Sequence, residues 1–213
     1  MSATANQASD PAADSAILLR TEEQGVVTLT LNRPAQYNAL SGAMLDALQS
    51  TLDDIDSDHN VRVVIIAANG KAFCPGHDLK EMRASEERAV HQALFDKCAR
   101  MMLTINRLRQ PVIARVHGVA TAAGCQLVAN CDLAVAADEA RFAVSGINVG
   151  LFCSTPAVPL SRNMGRKQAL HMLLTGDFIS AATALQYRLV NEVVPAAELE
   201  ATTLALAQKP VAT

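Results

Sequence analysis

The segment Val61 to Ala67, apolar except for Arg62, constrains the fold of this chain more than any other stretch. A short run of this kind, rich in β-branched residues, is typical of a strand buried on both faces of a parallel sheet. Pro111 to Val116 and Leu133 to Ala136 are two further apolar runs, and helical patterns separate the three. Because parallel strands need crossover connections, this alternation predicts an α/β fold.

The remaining segments supply the other predicted elements. Ile17 to Asn32 predicts two short strands with a turn at Glu22 to Gly25, and Ser41 is a suitable cap for a helix over Gly42 to Ile55. The apolar residues of that helix share one stripe and predict its buried face: Met44, Leu45, Leu48, Leu52 and Ile55. The pattern further predicts a loop at 69–77, a turn at Gly118, helices at 81–107, 122–130, 156–163, 166–174, 181–187 and 197–207, and a strand at 192–194.

The composition is that of a globular domain. The chain has 213 residues, of which 50% are hydrophobic and 18% are charged, so a disordered chain is excluded. No apolar run reaches the roughly 18–20 residues of a membrane span, and a formal net charge of −3 does not favour a nucleic-acid partner. The five cysteines are scattered without metal-ligand spacing, so we expect free buried thiols and no metal site.

The N-terminal segment 1–16 differs from the rest of the chain. It contains Asp but neither Lys nor Arg, and it has neither an apolar signal-peptide core nor the Arg-rich character of a transit peptide. We therefore predict a disordered arm rather than a targeting segment. Together with the free thiols, this predicts a cytoplasmic protein.

Two loops indicate where chemistry could occur. Lys71 to Leu79 and Gly118 to Cys125 each follow a buried strand, and ligands of open α/β sheets bind at the carboxyl ends of strands. The second loop enters a helix whose first turn carries only small side chains, so a ligand can approach the free N–H groups there. Either loop by itself is also explained by close helix–sheet packing through Ala and Gly.

These loops and several other segments carry a resemblance to a known family. The matching segments are Leu31–Pro34 with Asn38–Leu40, Lys71–Phe73 with Gly76–Asp78, Pro111–Ala114, Gly118–Cys125, Cys131–Leu133, Phe142, Gly150, and Leu174–Asp177 with Ile179–Ala181. From Ile17 onward the chain resembles the crotonase (enoyl-CoA hydratase/isomerase) superfamily, and two of its segments, Gly76–Glu81 and Ala122–Gln126, are similar to one branch of it.

The resemblance implies a fold, a ligand and an assembly. The fold is a crotonase-like spiral of ββα units, with a core over 17–195 and, over 196–213, the start of a C-terminal helical region that is shortened relative to the family. The ligand is an acyl-CoA of fatty acid metabolism, with no separate cofactor because CoA is part of the substrate. The assembly is a homotrimer or a dimer of trimers, with no membrane partner.

The resemblance also implies site residues. By motif position, the backbone N–H groups of His77 and Ala123 form an oxyanion hole for the thioester carbonyl. Ala123 stands where the family commonly has Gly, which a main-chain donor tolerates if φ is negative. The implied substrate-binding or CoA-binding positions are Arg33, Ala39, Leu40, Ala72, Cys74, Gly76, Asp78, Leu79, Lys80, Val119, Ala122, Asn148 and Ser154.

The sequence departs from the family at the two positions that carry the hydratase glutamates. These positions hold Gln126 and Gly146, and the position of an aspartate found in some isomerase relatives holds Ser154. An amide does not accept a proton at neutral pH, and glycine has no side chain. Because general acid–base assistance is worth about 10²–10⁴-fold per group, we expect hydration to be weak or absent.

The sequence is compatible with more than one function. His77 is the best candidate for an acid or base near neutral pH, and Cys153 or Ser154 would need such a base to act as a nucleophile. The chain is either an enzyme of the lyase or isomerase type or a binding protein that keeps the thioester site without catalysis. A dinucleotide-dependent oxidoreductase is disfavoured, since no G-x-G-x-x-G follows the first strand.

Overall fold

The computed structural model describes residues 16–209 of the chain, which form ten β-strands and eight α-helices. The strands are β1 Leu18–Glu23, β2 Val26–Leu31, β3 Val63–Ala68, β4 Ala72–Cys74, β5 Val112–Val116, β6 Val119–Thr121, β7 Leu133–Ala137, β8 Arg141–Ala143, β9 Ile179–Ser180 and β10 Glu192–Val194. The helices are α1 Gly42–Ser57, α2 Leu79–Arg83, α3 Arg88–Arg107, α4 Ala123–Asn130, α5 Ser154–Asn163, α6 Arg166–Thr175, α7 Ala181–Gln186 and α8 Leu199–Gln208.

The strands form two sheets that are built up together along the chain. One sheet has the order β1-β2-β3-β5-β7-β10 and the other has the order β4-β6-β8-β9. The consecutive pairs β3 and β4, β5 and β6, and β7 and β8 each place one strand in each sheet, and helices connect one pair to the next. All of these strands pair in parallel within their sheets. The predicted spiral of ββα units is confirmed.

The larger sheet is buried on both faces, as the apolar runs predict. Along β3, the side chains of Val64 and Ile66 join the main core, whereas Val63, Ile65 and Ala67 pack on the opposite face in a smaller cluster with Ala207 of α8. All five of these β3 side chains are at most 3% exposed. Alternation of buried side chains on both faces explains why the run contains so few polar residues.

Helix α1 forms as its sequence predicts. The Ser41 side chain caps it by accepting a hydrogen bond from the Met44 N–H at 3.2 Å. Its predicted apolar stripe is buried: Met44, Leu45, Leu48, Leu52 and Ile55.

Three predicted segments differ from the structure. The loop at 69–77 contains β4, and the turn at Gly118 leads into β6, because these three-residue strands are specified by pairing with each other rather than by a local pattern. The helix predicted at 81–107 is two helices, α2 and α3. At the break, the Ser85 hydroxyl accepts a hydrogen bond from the Glu87 N–H at 3.1 Å, a local bond that competes with helix continuation.

Some predictions concern features that the structure addresses only in part. The arm over 1–16 lies outside the described residues except for Ala16, and so does the end of the predicted 196–213 segment. No helix between residues 16 and 209 combines the length and the apolar character of a membrane span. In the same range no group of three or more metal-ligating side chains comes together. All five cysteines are free and buried.

Candidate functional site

A buried asparagine organises one wall of the site. Asn38 is fully buried, and its side chain accepts a hydrogen bond from the Arg33 N–H at 2.8 Å. The same side chain donates to the carbonyl oxygens of Asn69 and Ala72, each at 2.8 Å. These bonds hold the segment after β2 against the segment after β3, and they account for the Asn38–Leu40 motif.

The same wall sets the orientation of His77. Leu40 donates to the Gly76 carbonyl at 2.8 Å and accepts from the Asp78 N–H at 3.3 Å, which makes an isolated parallel bridge to His77. In such a bridge the residues on either side make the bonds, so the N–H of His77 points away from Leu40. Within residues 16–209 this N–H has no hydrogen-bond partner.

The second wall is the turn from β6 into α4. Ala123 is the first residue of α4, so its N–H has no acceptor within the helix. An ideal Cβ on Gly76 would lie 3.1 Å from the Ala123 nitrogen, and one on Gly124 would overlap the Cys74 carbonyl. The two turns therefore touch through glycines, and this contact places the backbone around His77 next to the start of α4 at Ala123.

The strained residue of this turn is Ala122, the residue before Ala123. The φ of Ala123 is not positive, so this residue meets the condition under which an alanine is tolerated there. Ala122, however, has φ 48° and ψ −121°. Few residues with a side chain adopt this conformation, which costs of order 1–3 kcal/mol. The surrounding structure holds it, since the Ala122 N–H donates to the Ala143 carbonyl at 3.0 Å.

A cavity of about 310 Å³ opens between the two walls. Its lining is mainly apolar and consists of Ala39, Pro75, His77, Leu79, Met82, Phe95, Ala122, Ala123, Ser145, Gly146, Val149, Leu151, Cys153, Thr155 and Pro156. No Asp, Glu, Lys or Arg of the described chain borders it. The volume lies at the lower end of the range of small-molecule sites, and the lining suits an uncharged group.

The imidazole of His77 borders this cavity and is neutral at pH 7. Burial lowers its pKa from the ordinary value of 6.5, and the Leu40 carbonyl and the Glu81 carboxylate only partly oppose this shift. The ring packs edge-on against Phe95 with centroids 5.1 Å apart, and its buried Nδ1 has no hydrogen-bond partner. A neutral imidazole that borders a cavity can accept a proton from a bound molecule.

The two positions at which the resemblance predicts glutamates have different surroundings. Gln126 lies in α4 and is 5% exposed, with its Oε1 unpartnered, and it does not border the cavity. Gly146 does border it, but an ideal Cβ there would overlap the Leu151 carbonyl and lie 2.6 Å from the Cys153 Sγ. Position 146 therefore lacks both a carboxylate and the space for one.

The charged residues predicted to meet CoA mainly order the backbone. Asp78 caps α2 by accepting from the N–H groups of Lys80 and Glu81 at 3.1 and 3.4 Å, and it pairs with Arg33 at 3.4 Å. Arg33 also donates to the Ala39 carbonyl at 3.2 Å. Lys80 is exposed on α2 and is free to meet a phosphate.

The cavity brings together some of the predicted site residues and not others. Those that border it are His77, Ala123, Gly146, Ala39, Leu79 and Ala122. Those that do not are Gln126, Arg33, Leu40, Ala72, Cys74, Gly76, Asp78, Lys80, Val119, Asn148 and Ser154. Cys74 is fully buried, and burial raises the pKa of its thiol to about 12.

The sequence analysis missed part of the lining. Met82 and Phe95 come from α2 and α3, and Val149 and Leu151 come from the segment before α5. The side-chain pattern of α3 offers a partial indication, because Phe95 is the aromatic residue of that helix. The segment before α5 carries no periodic pattern, so only tertiary structure places it.

Comparisons with known proteins give consistent matches over the described fold. The enoyl-CoA hydratase/isomerase family matches residues 21–212. Enoyl-CoA hydratase domain-containing protein 3, mitochondrial, of Xenopus laevis is 50% identical over 188 residues, which are 88% of this chain and 64% of that protein. The crystal structure of an enoyl-CoA hydratase of Mycobacterium smegmatis has a TM-score of 0.90 at 60% identity and covers 92% of this chain and 76% of that one.

A second solved structure belongs to the branch that Gly76–Glu81 and Ala122–Gln126 resemble. Human enoyl-CoA hydratase domain-containing protein 3 has a TM-score of 0.88 at 46% identity, covering 91% of this chain and 77% of that one. The resemblance to this branch is confirmed. The chain nevertheless spans only 61–64% of the length of its curated relatives from Xenopus laevis, Mus musculus and Homo sapiens.

The prediction of a cytoplasmic protein is wrong. The curated relatives from Xenopus laevis, Mus musculus and Homo sapiens are all named as mitochondrial proteins. Free thiols and an N-terminal segment without Arg were the basis of the prediction, and neither separates one reducing compartment from another.

Proposed function

The chain belongs to the enoyl-CoA hydratase/isomerase family, and on that basis we propose that it binds acyl-CoA thioesters and stabilises their enolates, while hydrating enoyl-CoA weakly or not at all. One observation supports this proposal: His77 and Ala123, whose backbone N–H groups have no acceptor among the described residues, both border the same apolar cavity. Two fixed amides suit a thioester carbonyl oxygen that gains negative charge, and each is worth about 3–4 kcal/mol of barrier.

The expected weakness in hydration follows from the lining of the cavity. Hydration needs a group that takes a proton from water and another that gives one to carbon. No carboxylate of the described residues borders the cavity, and a side chain at position 146 would overlap the Leu151 carbonyl. His77 is the remaining proton acceptor, so reactions that move a proton next to the carbonyl are favoured over the addition of water.

The same lining selects among acyl groups. Leu79, Met82, Val149 and Leu151 surround the space with apolar side chains, and no cation of the described chain borders it. A charged acyl end would lose its hydration without gaining a partner, which costs several kcal/mol. The proposed ligand is therefore an uncharged fatty-acyl-CoA. No separate cofactor is needed because CoA is part of the substrate.

A non-catalytic acyl-CoA carrier or regulatory subunit is the second candidate. The absence of acidic side chains from the described cavity lining favours it. It shares the fold and ligand with the first candidate, and the two differ only in whether the bound thioester reacts.

The homotrimer or dimer of trimers is also part of the proposal. Five large apolar side chains are 43–72% exposed near the segment between β8 and α5 and the end of α6: Val149, Leu151, Phe152, Leu174 and Phe178. We call this set the apolar rim. A Cβ on Gly176 would lie 2.8 Å from Ile147 Cγ2 and 3.0 Å from the Asn148 amide, so the end of α6 lies beside the segment before α5. Exposed apolar surface of this kind is typical of subunit contacts.

The test removes one amide donor. Proline is accepted at the first position of a helix, where its missing N–H is not needed for helix bonds, so Ala123→Pro removes the proposed donor. Ala123→Gly keeps the N–H and serves as the matched control. We expect butyryl-CoA to bind the Pro variant at least ~10-fold more weakly than the control, with far-ultraviolet circular dichroism showing that both are folded.

Two spectroscopic readings make the test independent of affinity. The infrared carbonyl stretch of bound butyryl-CoA should shift to lower frequency in the wild-type chain, since two hydrogen bonds polarise the carbonyl. Absorbance of crotonyl-CoA distinguishes the two candidates, because its loss at a catalytic rate requires reaction and binding alone leaves it unchanged. An unshifted carbonyl in a folded, ligand-bound chain contradicts the oxyanion assignment.

A further inference from the structure

Cys153 borders the cavity, and the proposed function gives its thiol no role. It is the residue before α5, and it is the one cysteine of the described chain that borders the cavity with His77 and Ala123. Its Sγ lies 2.6 Å from where a Cβ on Gly146 would be. The thiol therefore fills the space in which a side chain at the second glutamate position would begin.

The surroundings of this thiol suit a group that holds a proton and can release it. Burial raises its pKa, so it is protonated at neutral pH, and the neighbouring Gly146 backbone opposes that shift. In the first turn of α5 the Ser154 N–H donates to the Phe152 carbonyl at 2.8 Å and Pro156 has no N–H, which leaves the Thr155 N–H without an acceptor among the described residues. A free N–H at a helix start favours a nearby negative charge, and Thr155 borders the cavity together with Cys153, so a thiolate formed there for a short time is stabilised.

The other cysteines do not share these features. Cys74, Cys98, Cys125 and Cys131 are at most 7% exposed, and none borders the cavity. Burial raises the pKa of the Cys98 and Cys125 thiols to about 12. These four side chains are explained as packing.

We propose that the Cys153 thiol is the proton donor to the α-carbon of the acyl group, and that His77 is the corresponding acceptor. This rests on the proposed function, since the oxyanion hole must first hold the enolate. The imidazole takes a proton from C2, and the C–H electron pair becomes the enolate π bond. The S–H proton then passes to C2, the enolate electrons form the new C–H bond, and the thiolate remains at the start of α5. Water returns the proton from imidazolium to thiolate, so no oxidant or co-reactant is needed.

The experiment measures proton transfer without hydration. The full chain is incubated with butyryl-CoA in D2O, and deuterium at C2 is followed by mass spectrometry, with the Kd measured in parallel. We expect the wild-type chain to exchange the C2 hydrogens, and Cys153→Ser to lower the rate by about 100-fold or more with an unchanged Kd, because general acid assistance is worth 10²–10⁴-fold.

A matched control makes the same chemical change outside the cavity. The Cys131 thiol donates to the Leu127 carbonyl at 3.3 Å, and a serine hydroxyl can make that bond too. Cys131→Ser should therefore exchange at the wild-type rate. Exchange by the wild-type chain should also slow as the pH rises through the pKa of the donor, and this dependence should be lost in Cys153→Ser.

The possible outcomes distinguish a failure of the Cys153 donor role from a failure of the proposed acyl-CoA binding. Equal exchange by Cys153→Ser and the wild-type chain overturns the donor assignment. Binding of butyryl-CoA without any C2 exchange also overturns it, and leaves acyl-CoA binding intact. No binding by the folded wild-type chain overturns the proposed function itself, and the donor role with it.

Discussion

At the scale of single residues, the space around a position matters as much as the residue that occupies it. By its resemblance to the family, position 146 is expected to hold a glutamate, and the sequence suggests that restoring the carboxylate would restore hydration. The structure shows that the Leu151 carbonyl and the Cys153 Sγ occupy the room for a side chain there. The close packing of the segment before α5 therefore accounts for glycine rather than glutamate at position 146.

We accordingly expect the double substitution Gln126→Glu with Gly146→Glu not to raise hydration of crotonyl-CoA. The side chain at 146 should force the backbone near Leu151 to move, which costs about 1–3 kcal/mol. Absorbance of crotonyl-CoA and the free energy of unfolding in urea check both parts. Gln126→Glu alone separates the effects, because it leaves position 146 untouched. A well-folded double variant that hydrates far faster than the wild-type chain contradicts this expectation.

The lowered pKa of His77 predicts a pH dependence of stability. The unfolded chain, with a pKa near 6.5, binds the proton more tightly than the folded chain does. The contribution is therefore complete above pH 6.5 and is lost as the pH falls through that value toward the lower folded pKa. We expect His77→Asn to flatten the dependence of the free energy of unfolding on pH between about 5 and 7, measured by urea denaturation.

The control for this prediction is another histidine. His171 is exposed on α6, and His171→Asn should keep the slope of the wild-type chain. Parallel curves for the wild-type chain and His77→Asn would mean that the buried ring does not lose its proton on folding.

At the scale of elements, the turn into α4 is held in a conformation that its own sequence does not favour. Ala122 has φ 48°, and its methyl group lies against the position a Cβ on Gly76 would take, at 3.1 Å. A glycine at 122 would adopt this φ without strain. The strained backbone of Ala122 directly precedes Ala123, the first residue of α4, which borders the cavity.

Ala122→Gly should therefore stabilise the chain by about 1 kcal/mol, after the extra freedom of glycine in the unfolded state is subtracted. This corresponds to a rise in Tm of about 2–4 °C for a chain of this size, which differential scanning calorimetry resolves. Ala93→Gly, at an exposed position inside α3, should instead lower the Tm, since glycine there has no strain to relieve. A lower Tm for both variants contradicts the account of the turn.

The elements predicted best from the sequence are those with a pattern of their own. The stripe of α1 and the two-faced burial of β3 follow from periodicity and run length. Strands β4 and β6 escaped prediction because three residues carry no period, and they are specified by pairing within the smaller sheet, β4 with β6 and β6 with β8. The break between α2 and α3 depends on one serine bond that hydrophobic patterning does not register.

The candidate site divides in the same way. His77 and Ala123 were found from motif position, and the structure places both at the cavity. Phe95 and Leu151 were not found, because their places in the lining depend on how separate elements pack. Gln126 was expected near the acyl group, but the turn of α4 carries it into the interior and away from the cavity.

At the scale of the whole molecule, the apolar rim predicts self-association. Its side chains remain 43–72% exposed in the single chain, which is unfavourable in water. Light scattering coupled to gel filtration should give three or six times the mass of one chain.

The double variant Phe152→Asp with Leu174→Asp should reduce this mass, since it places charges in the contact. Val90→Asp, at a position 47% exposed on α3, is the control and should not change it. A single-chain mass for the wild-type protein contradicts the proposed assembly.

The two proposed oxyanion donors belong to successive turns of the spiral, one after β4 and the other directly after β6. Because each turn supplies only one of the two proposed donors, the affinity for the ligand depends on how closely the two turns pack against each other. Hydrogen exchange of the backbone amides on β4 and β6 should slow together when acyl-CoA is added, because a ligand that bridges the two raises the free energy of opening them. In the proposed function, the thioester carbonyl therefore links two neighbouring turns of the spiral that no single element holds together.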